Sequence, residues 1–275
     1  MGLLTLSNNI KLVLGGNRVK DNSMTILIMA FDAYNDVWKP FEYFFRKNWS
    51  DCKFPIAIAT CTDEKGMEIC DKVITTGDKM EWTARLHKAL QEIDSLYVLM
   101  LLEDLYIDRK VDSKEIDKCI ETLKSHQDIG HLRLLPNLKY KADYRQDSSY
   151  GEYLPGQVYR ISTHPAIWKR EYLLKLTEPI MSAWDFEYLG SQQCCDLPER
   201  VICTKKAVIH FTNSVWRSKW TTEGVRLCKK NNIDLDFTKR PQYTFTENIS
   251  VKMKTALYHI LGPELSTRIS MRMNK

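Results

Sequence analysis

The stretch LYVLMLLEDLYID (residues 96–108) decides the predicted fold, because an apolar run ends there in acidic side chains. Residues 96–102 are apolar throughout, and Glu103 and Asp104 follow directly. A short, continuous apolar run is typical of a strand that is buried on both faces of a parallel sheet. In open sheets of this kind, ligands bind beyond the carboxyl ends of the strands. The stretch therefore predicts two carboxylates where a ligand site is expected.

The first half of the chain repeats this pattern. MTILIMAF (24–31), FPIAIAT (54–60) and KVITT (72–76) predict three more strands. Between them, DAYNDVWKPFEYFFRKNW (32–49) and EWTARLHKALQEI (81–93) place apolar residues at helical spacing. This alternation predicts an α/β fold with a mostly parallel central sheet, flanked by helices and joined by right-handed crossovers.

The second half is less regular. We predict three helices and three strands there. The helices are SKEIDKCIETLKSH (113–126, with Ser113 as N-cap), PAIWKREYLLKL (165–176, opened by Pro165) and one that starts in SAWDFEYLGSQQCC (182–195). The strands are HLRLLP (131–136), QVYRIST (157–163) and AVIHF (207–211). The polar, tyrosine-rich segment NLKYKADYRQDSSYGEYLPG (137–156) is long for a loop and is a candidate lid or acceptor loop.

The composition is that of an ordinary soluble globular protein. The 275 residues are 44% hydrophobic and carry a net charge of +5, which is too small to indicate nucleic-acid binding. No apolar run reaches the roughly 18 residues that span a bilayer. The eight cysteines include no C-x-x-C pair, so we predict free thiols in a reducing cytoplasm. A zinc site of Cys194, Cys203 and His210 is the less favoured alternative.

We predict three segments: a leader of uncertain structure (1–23), an α/β domain (24–220) and a basic helical C-terminal extension (221–275). VKMKTALYHILGPELSTRISMRMNK (251–275) combines an apolar stripe with lysines and arginines. Near an anionic leaflet each such charge contributes roughly 1 kcal/mol, so we expect a peripheral contact with the inner membrane leaflet. The alternative is a helix that docks on the protein's own core.

The two adjacent carboxylates predict a cation. Like charges at the end of an apolar strand repel each other unless a cation or a basic group compensates them. Mg²⁺ or Mn²⁺ takes one or two carboxylates and fills its other positions with phosphate oxygens and water. The alternative is that Glu103 and Asp104 only solvate a loop.

The order of these elements resembles the nucleotide-sugar-binding half of the GT-A-fold glycosyltransferases. The segments that carry the resemblance are TILIMAF, PIAIAT, WTARLHKAL and YVLMLLEDLYI, in that order. LLEDLYID (101–108) stands where that superfamily has its D-x-D motif. AIWKREYLLKL (166–176) and SAWDFEYLGS (182–191) are similar to bacterial capsule and lipopolysaccharide glycosyltransferases. The resemblance covers roughly residues 24–220.

The resemblance implies that a sugar moves from a nucleotide-sugar donor to a surface glycan, free or lipid-linked, at the cytoplasmic face of the membrane. It implies Mn²⁺ or Mg²⁺, with Asp104 as the first ligand, Glu103 as the second and His210 as a further one. The acidic element departs from a strict D-x-D, because Leu105 cannot bind a metal. We expect Asp104 to be exposed in the cleft. His210 alternatively bonds only to backbone at a strand end.

The resemblance also assigns five residues to the donor nucleotide: Asp63, Trp82, Arg85, Arg217 and Lys219. Asp63 lies in the turn after the second strand, which would meet the base. The basic residues would hold phosphate oxygens. A surface ion pair is the alternative for Arg85, and a solvated turn is the alternative for Arg217 and Lys219.

An inverting transfer needs a base that takes the proton from the acceptor hydroxyl. SAWDFE (182–187) offers Asp185 and Glu187, which point about 200° apart on a helix, so that only one can face the sugar. Ser182 and Asp185 also match a capping box, in which Asp185 would only satisfy backbone N–H groups. Following the resemblance, we place Asp185 slightly ahead of Glu187.

Two other functions fit the same pattern. A sugar nucleotidyltransferase also combines an α/β sheet with a carboxylate-held metal, but it typically has a glycine-rich phosphate loop near the first strand. AFDAYNDVW (30–38) contains no glycine. The other alternative is a non-catalytic scaffold of a polysaccharide assembly complex, which would keep the fold without turnover.

Overall fold

The structure is a computed structural model that describes residues 20–136, 138–244 and 246–247. In chain order the strands are β1 (Met24–Met29), β2 (Ile56–Thr60), β3 (Lys72–Thr75), β4 (Tyr97–Leu102), β5 (Leu105–Ile107), β6 (Ile129–Arg133), β7 (Ala142–Asp143), β8 (Tyr150–Tyr153), β9 (Ala166–Lys169), β10 (Arg200–Thr204), β11 (Phe211–Asn213), β12 (Val215–Trp216) and β13 (Lys219–Trp220). The helices are α1 (Trp38–Asn48), α2 (Trp82–Gln91), α3 (Ser113–Ser125), α4 (Arg170–Thr177), α5 (Ala183–Gln193) and α6 (Thr222–Lys230), and a 3₁₀ helix (Asp32–Val37) precedes α1.

A nine-stranded sheet forms the centre of the described part of the chain, in the order β3-β2-β1-β4-β9-β6-β10-β8-β7. The strands β3, β2, β1 and β4 are parallel neighbours, as are β6 and β10. β9 runs antiparallel between β4 and β6. The predicted α/β class, with a mostly parallel central sheet flanked by helices, is confirmed. β5 pairs with β11, and β12 with β13, in two small antiparallel ribbons.

The apolar runs form the central strands because both faces of the sheet are covered. β1 and β2 are buried along their whole length. Successive side chains of a strand point to opposite faces. Ile26 and Ile28 therefore join the core on the side of α1, whereas Leu27 and Met29 join the core on the side of α2. Pro40 lies in the first turn of α1, where it removes no intrahelical hydrogen bond.

Several local predictions in the second half are wrong. The N-cap of α3 is Asp112, whose side chain accepts the Lys114 amide, rather than Ser113. Residues 157–163 form no strand, and 207–210 precede β11 instead of forming it. Pro165 opens strand β9 rather than a helix, because the apolar residues that follow it are buried between β4 and β6. β10 was not predicted.

The proposed lid or acceptor loop is also wrong for its described residues, 138–156. They supply β7 and β8, which form one edge of the central sheet. Tyr144, Tyr150 and Tyr153 are buried and their hydroxyls are bonded. Tyr153 donates to the Leu138 carbonyl at 2.8 Å, Tyr144 donates to Asp128 at 3.0 Å, and the Tyr150 hydroxyl lies 3.0 Å from that of Thr122. A tyrosine-rich segment can form part of a sheet when its rings are buried and its hydroxyl groups find hydrogen-bond partners.

The predicted boundary at residue 220 does not separate two bodies in the described residues. α6 buries Val225 and Cys228 in the same core as β1. Gly224 lies so close to Ser214 that an added Cβ would meet its Cα at 2.6 Å. Further on, Arg240 forms a bidentate ion pair with Asp36, and both side chains are buried. The predicted leader up to residue 19 and the C-terminal segment 248–275 lie outside the described residues.

Two further observations concern the class of protein. The eight cysteines are all free thiols, as predicted. Among the helices of the described segments, none combines the length and the apolar character that crossing a membrane requires.

Candidate functional site

Several segments meet at one edge of the central sheet. β1 and β4 end together, with Met29 paired to Leu102, so the residues that follow each strand are neighbours. β9 runs in the opposite direction, and its first residue, Ala166, pairs with Met100 and Arg133. The segment before β9 therefore lies at the same edge as the residues that follow β4.

Glu103 follows β4 at this edge and is buried, with 7% of its surface exposed. Its Oε1 accepts the backbone N–H of Phe31 at 3.1 Å, which ties it to the end of β1. Burial raises the pKa of Glu103 to about 8, and the neighbouring Asp104 adds to the shift, while Arg85 opposes it. In the absence of a cation, this side chain is mostly protonated at neutral pH.

The carboxylate of Asp104 has even fewer hydrogen-bond partners than that of Glu103. Its Oδ1 is buried and has no hydrogen-bond partner among the described residues. Burial raises the pKa of Asp104 to about 6, and the charge of Arg240 opposes the shift. Its backbone carbonyl accepts both the amide and the hydroxyl of Ser214, at 2.8 and 2.9 Å. The expectation that Asp104 is exposed is wrong, because the residue is partly buried at the start of a ribbon.

The two carboxylates fit a divalent cation that brings part of its own coordination sphere. A buried carboxylate oxygen without a donor can bind a cation, and a bound cation would bring the pKa of both groups back towards the ordinary range. The described residues contain no cluster of three or more His, Cys, Asp and Glu arranged for a metal. Mg²⁺ and Mn²⁺ accept such a sparse protein contribution when phosphate oxygens and water complete the shell.

His210 does not belong to this pair. In the antiparallel ribbon Phe211 pairs with Ile107, and the His210 carbonyl accepts the Asp108 amide at 3.1 Å. Ser214, at the other end of the ribbon, is the residue beside Asp104. His210 is thus four residues away along the strand, roughly 13 Å at strand rise. The predicted metal set of Glu103, Asp104 and His210 is wrong in its third member.

The turn after β2 is organised by Asp32, a residue that the sequence did not single out. Its carboxylate accepts three backbone amides, those of Cys61 and Thr62 at 2.7 Å and that of Asp63 at 2.9 Å. Burial alone would raise the pKa of Asp32, but these hydrogen bonds lower it below its ordinary value. The signal in the sequence was an aspartate directly after the first predicted strand.

Asp63 lies in that turn, as predicted. Its Oδ1 accepts the amides of Lys65 and Gly66 at 2.8 Å each, so it shapes the turn itself. Asp63 also lines an open cavity of about 450 Å³ together with Lys65 and Lys239. This volume is within the range of small-molecule sites.

Arg85 is buried, so the alternative of a surface ion pair does not apply to it. Its Nε donates to the Thr76 hydroxyl at 2.8 Å, and its Nη2 donates to the carbonyls of Ala30 and Ala59. The guanidinium thus joins the ends of β1 and β2 behind the carboxylates. Trp82, one turn earlier, packs on Phe186 with ring centroids 5.3 Å apart.

Arg217 and Lys219 lie in the β12–β13 hairpin. Arg217 and Ser218 both have positive φ, 47° and 61°, as a tight two-residue hairpin turn requires. Arg217 is exposed. Lys219 forms an ion pair with Glu247, and the hydrogen bond from Lys219 lowers the pKa of Glu247 to about 2. Tyr34 contacts Ser218 at 2.9 Å between hydroxyl oxygens, which joins the hairpin to the segment after β1.

The two candidate bases have different surroundings. Asp185 is exposed and forms a local pair with Ser182: its amide donates to the serine Oγ at 3.2 Å, and that hydroxyl donates to its Oδ2 at 2.7 Å. Ser182 is the N-cap of α5. The capping alternative therefore describes Asp185, and its preference over Glu187 is not supported.

Glu187 faces the sheet edge. Its Oε1 accepts the hydroxyl of Ser162 at 3.0 Å and the amide and hydroxyl of Thr163 at 2.7 and 2.9 Å. These residues belong to the segment before β9, which shares its edge with Glu103. A carboxylate held by three donors has one fixed orientation.

His164 is the second residue that the sequence did not reveal. Its Nδ1 lies 3.1 Å from the Ser162 hydroxyl, which donates to Glu187. Burial lowers the pKa of His164, the Glu187 charge opposes this, and Arg133 adds to it. The imidazole is therefore neutral at neutral pH. It was missed because residues 157–163 were predicted to continue as a strand into this position.

The chain has weak structural neighbours. No protein-family model matches it, and no curated protein is detectably similar to it in sequence. Residues 1–349 of S. aureus TarS, a glycosyltransferase, align over 70% of this chain with a TM-score of 0.47 and 10% identity. This chain spans 60% of that fragment.

Two other neighbours are named for a different activity. A CMP:2-keto-3-deoxy-manno-octonic acid synthetase complexed with CTP aligns over 70% of this chain and 93% of its own, with a TM-score of 0.43 and 11% identity. A UDP-glucose pyrophosphorylase complexed with UDP-glucose aligns over 69% of this chain and 91% of its own, with a TM-score of 0.44 and 8% identity. At such identities and TM-scores, the alignments assign no activity to this chain, and the residues at the sheet edge have to carry the inference.

Proposed function

We propose that the protein is a metal-assisted, inverting glycosyltransferase that moves a sugar from a nucleotide-sugar donor to a glycan acceptor. The observation that carries the proposal is the pair Glu103 and Asp104 at the carboxyl edge of the sheet. One of its oxygens is buried without a partner among the residues that the structure describes, and both pKa values are raised. Such a pair is stable in its charged form only when a cation joins it, and a diphosphate is the natural co-ligand of that cation.

The donor would extend from the carboxylates towards the turn after β2. The cavity lined by Asp63 lies beside the ends of β1 and β2 and supports a nucleoside position there. The wall of the cavity carries three lysines, Lys39, Lys65 and Lys239, together with four aspartates. Its charge therefore does not favour the diphosphate, which we place at the metal instead. Arg85 would act indirectly, by fixing the strand ends, because its hydrogen bonds are already made to the protein.

In the proposed reaction Glu187 accepts the proton of the acceptor hydroxyl. The hydroxyl oxygen forms a bond to the anomeric carbon on the face opposite the diphosphate. As the bond between that carbon and the diphosphate oxygen breaks, the nucleoside diphosphate leaves with the electron pair and the configuration inverts. Mn²⁺ or Mg²⁺, when bound by Asp104 and Glu103, would neutralise charge on the leaving diphosphate.

The acceptor side is proposed on the resemblance alone. A surface glycan of the capsule or lipopolysaccharide type, free or lipid-linked, would be extended at the cytoplasmic face. A peripheral contact of residues 251–275 with an anionic leaflet would bring the enzyme to a lipid-linked acceptor. Comparing liposome co-sedimentation of the full chain and of a variant that ends at residue 247 tests this contact, and equal binding contradicts it.

A panel of nucleotide sugars, with and without Mn²⁺, tests the proposed function. We expect one donor to raise the melting temperature and to be hydrolysed slowly without acceptor, both only with the metal. Asp112→Asn, at the cap of α3, is the matched acidic control and should behave like the wild type. Release of pyrophosphate from a nucleoside triphosphate and a sugar phosphate would instead show a nucleotidyltransferase. Failure of every nucleotide sugar to bind would leave the scaffold alternative.

A further inference from the structure

Two tryptophans are exposed on elements that also build the candidate site. Trp184 on α5 is 60% exposed and Trp216 in the hairpin is 36% exposed. Their rings meet edge to face, with centroids 5.1 Å apart and an interplanar angle of 89°. Large apolar rings that stay in water beside a site mark an interaction surface.

The exposure of each ring is set by a buried neighbour in sequence. Phe186 on α5 is fully buried, so the helix is fixed with Trp184 on its outer side. In the hairpin, Val215 and Trp220 are buried and face the core, and the alternation along a strand turns Trp216 outward. The two tryptophans are therefore presented by rigid elements rather than by a loose loop.

The row of rings continues along α5. Tyr188 is one turn beyond Trp184, about 6 Å along the helix axis, and on the same side. Its ring meets that of Tyr159 edge to face, with centroids 6.5 Å apart. Trp216, Trp184, Tyr188 and Tyr159, here called the aromatic row, thus form a line of rings with hydroxyl groups at one end.

Tyr159 is held in place at a conformational cost. Its φ is +55°, in the left-handed region that residues with a Cβ rarely adopt. Arg133 is buried and donates to the carbonyls of Tyr159 and Arg160, which fixes this backbone. A strained backbone that the surrounding structure enforces is a feature of ligand sites.

The aromatic row lies beside the candidate base. Trp184 and Glu187 are three residues apart on α5, so they are neighbours on the helix surface. The segment from Ser214 to the hairpin starts at the carbonyl of Asp104. The row therefore borders the candidate site, with Tyr188 directly after Glu187 in the sequence.

We propose that the aromatic row is a platform for the acceptor carbohydrate, holding the sugar residues next to the one that reacts; this rests on the proposed function. Flat, rigid rings offer broad contact area at low entropic cost, and tyrosine hydroxyls supply hydrogen bonds at the wet end of the row. A pyranose has the matching surface, an apolar C–H face bordered by hydroxyl groups. The acceptor is accordingly an oligosaccharide chain rather than a single small alcohol.

The test measures binding of the full chain to an array of defined oligosaccharides, followed by titration of the glycan retained. Trp184→Leu keeps an apolar side chain without a flat ring, whereas Trp184→Tyr keeps a ring. Leu189→Ala, at a 40% exposed position on the same helix, is the matched control. We expect Trp184→Leu and Trp216→Leu to weaken binding about 10-fold, and Trp184→Tyr and Leu189→Ala by less than about threefold.

Nucleotide-sugar binding, measured by thermal shift on the same variants, separates this proposal from the proposed function. We expect it to be unchanged in all of them. If the donor binds and no glycan is retained, or if Trp184→Leu binds as the wild type does, the platform is wrong and the proposed function stands. A concentration-dependent dimer that Trp184→Leu abolishes would show that a second copy covers the row, which also overturns the platform.

Discussion

The two acidic pairs of this protein, Glu103 with Asp104 and Asp185 with Glu187, have opposite surroundings. The second pair is satisfied locally: Asp185 pairs with Ser182 at a helix cap, and Glu187 accepts three donors. The first pair is buried, receives one amide at Glu103, and leaves an oxygen of Asp104 without a partner among the described residues. Its pKa values are raised to about 8 and about 6, with burial as the main cause.

The difference separates carboxylates whose hydrogen bonds are made within the protein from carboxylates that remain available for a ligand. A satisfied carboxylate is oriented and keeps its charge, which suits a base or a cap. A buried pair with few donors opposes folding in its charged form, and an external cation removes that penalty. The donor site is accordingly expected at Glu103 and Asp104, and the acceptor chemistry at Glu187.

The largest expected effect is the loss of turnover in Asp104→Asn. The amide keeps the shape of the side chain but removes the charge that would bind a divalent ion, so transfer should fall by about 10³-fold or more. The free energy of unfolding should not decrease, because an uncompensated buried carboxylate is removed. Donor turnover and urea denaturation of the same preparation check both statements. Turnover within about threefold of the wild type would remove the distinction between the two pairs.

Substitutions that remove the charge but keep the shape of the side chain distinguish the two members of the second pair. Glu187→Gln should lower the transfer rate by about 10²–10⁴-fold, the usual contribution of a general base, with donor binding unchanged. Asp185→Asn should leave the rate nearly unchanged, because that carboxylate faces Ser182. Single-turnover transfer rates at saturating donor distinguish the two. The reverse order of effects would restore Asp185 as the base.

The ion pair between Arg240 and Asp36 tests what stabilises the neighbourhood of Asp104. Both side chains are buried, so Arg240→Ala leaves an unpaired carboxylate and should lower the free energy of unfolding by about 3–5 kcal/mol. Asp36→Ala and the double variant complete the cycle. If the two single losses simply add in the double variant, the two side chains are not coupled and the ion pair does not stabilise this neighbourhood.

The last expected effect is a pH dependence of stability. The pKa of Glu103 rises from an ordinary 4.5 to about 8 on folding, so its contribution is fully present below pH 4.5 and is lost as the pH rises through 8. The folded state binds the extra proton in that window, and stability therefore falls with pH. Asp32, whose pKa is lowered, has the opposite sign and loses its contribution only as the pH falls.

Urea midpoints across this pH range check the dependence. Glu103→Gln should flatten the fall in the urea midpoint above pH 4.5. Adding Mn²⁺ to the wild-type protein should raise its midpoint at the alkaline end of the range. A wild type that is equally stable across the window, with the metal absent, would mean that Glu103 is charged and compensated by the protein.

The elements that depend only on local sequence patterns were predicted correctly. The strands β1, β2, β3 and β4, and the helices between them, follow from apolar runs and helical spacing. β9 and β10 could not be predicted, because each contains only three apolar residues in a row, which fit a helix end as well as a buried strand. The edge tyrosines looked like a polar loop for the same reason, since their burial depends on distant partners such as Asp128.

The candidate site divides in the same way. Glu103 and Asp104 were found because they follow a strand directly. The error at His210 arose from register: pairing of β5 with β11 decides whether that histidine or Ser214 lies beside Asp104, and no local pattern sets it. His164 and the orientation of Glu187 depend on the antiparallel β9, which had not been predicted.

Anomalous diffraction at the manganese edge, from crystals grown with Mn²⁺ and the donor found in the panel, tests the central claim most directly. We predict one anomalous peak at coordination distance, about 2.0–2.2 Å, from an oxygen of Asp104, with the diphosphate of the donor on its other side. A peak elsewhere, or donor bound at this edge with no metal between it and Asp104, would contradict the account.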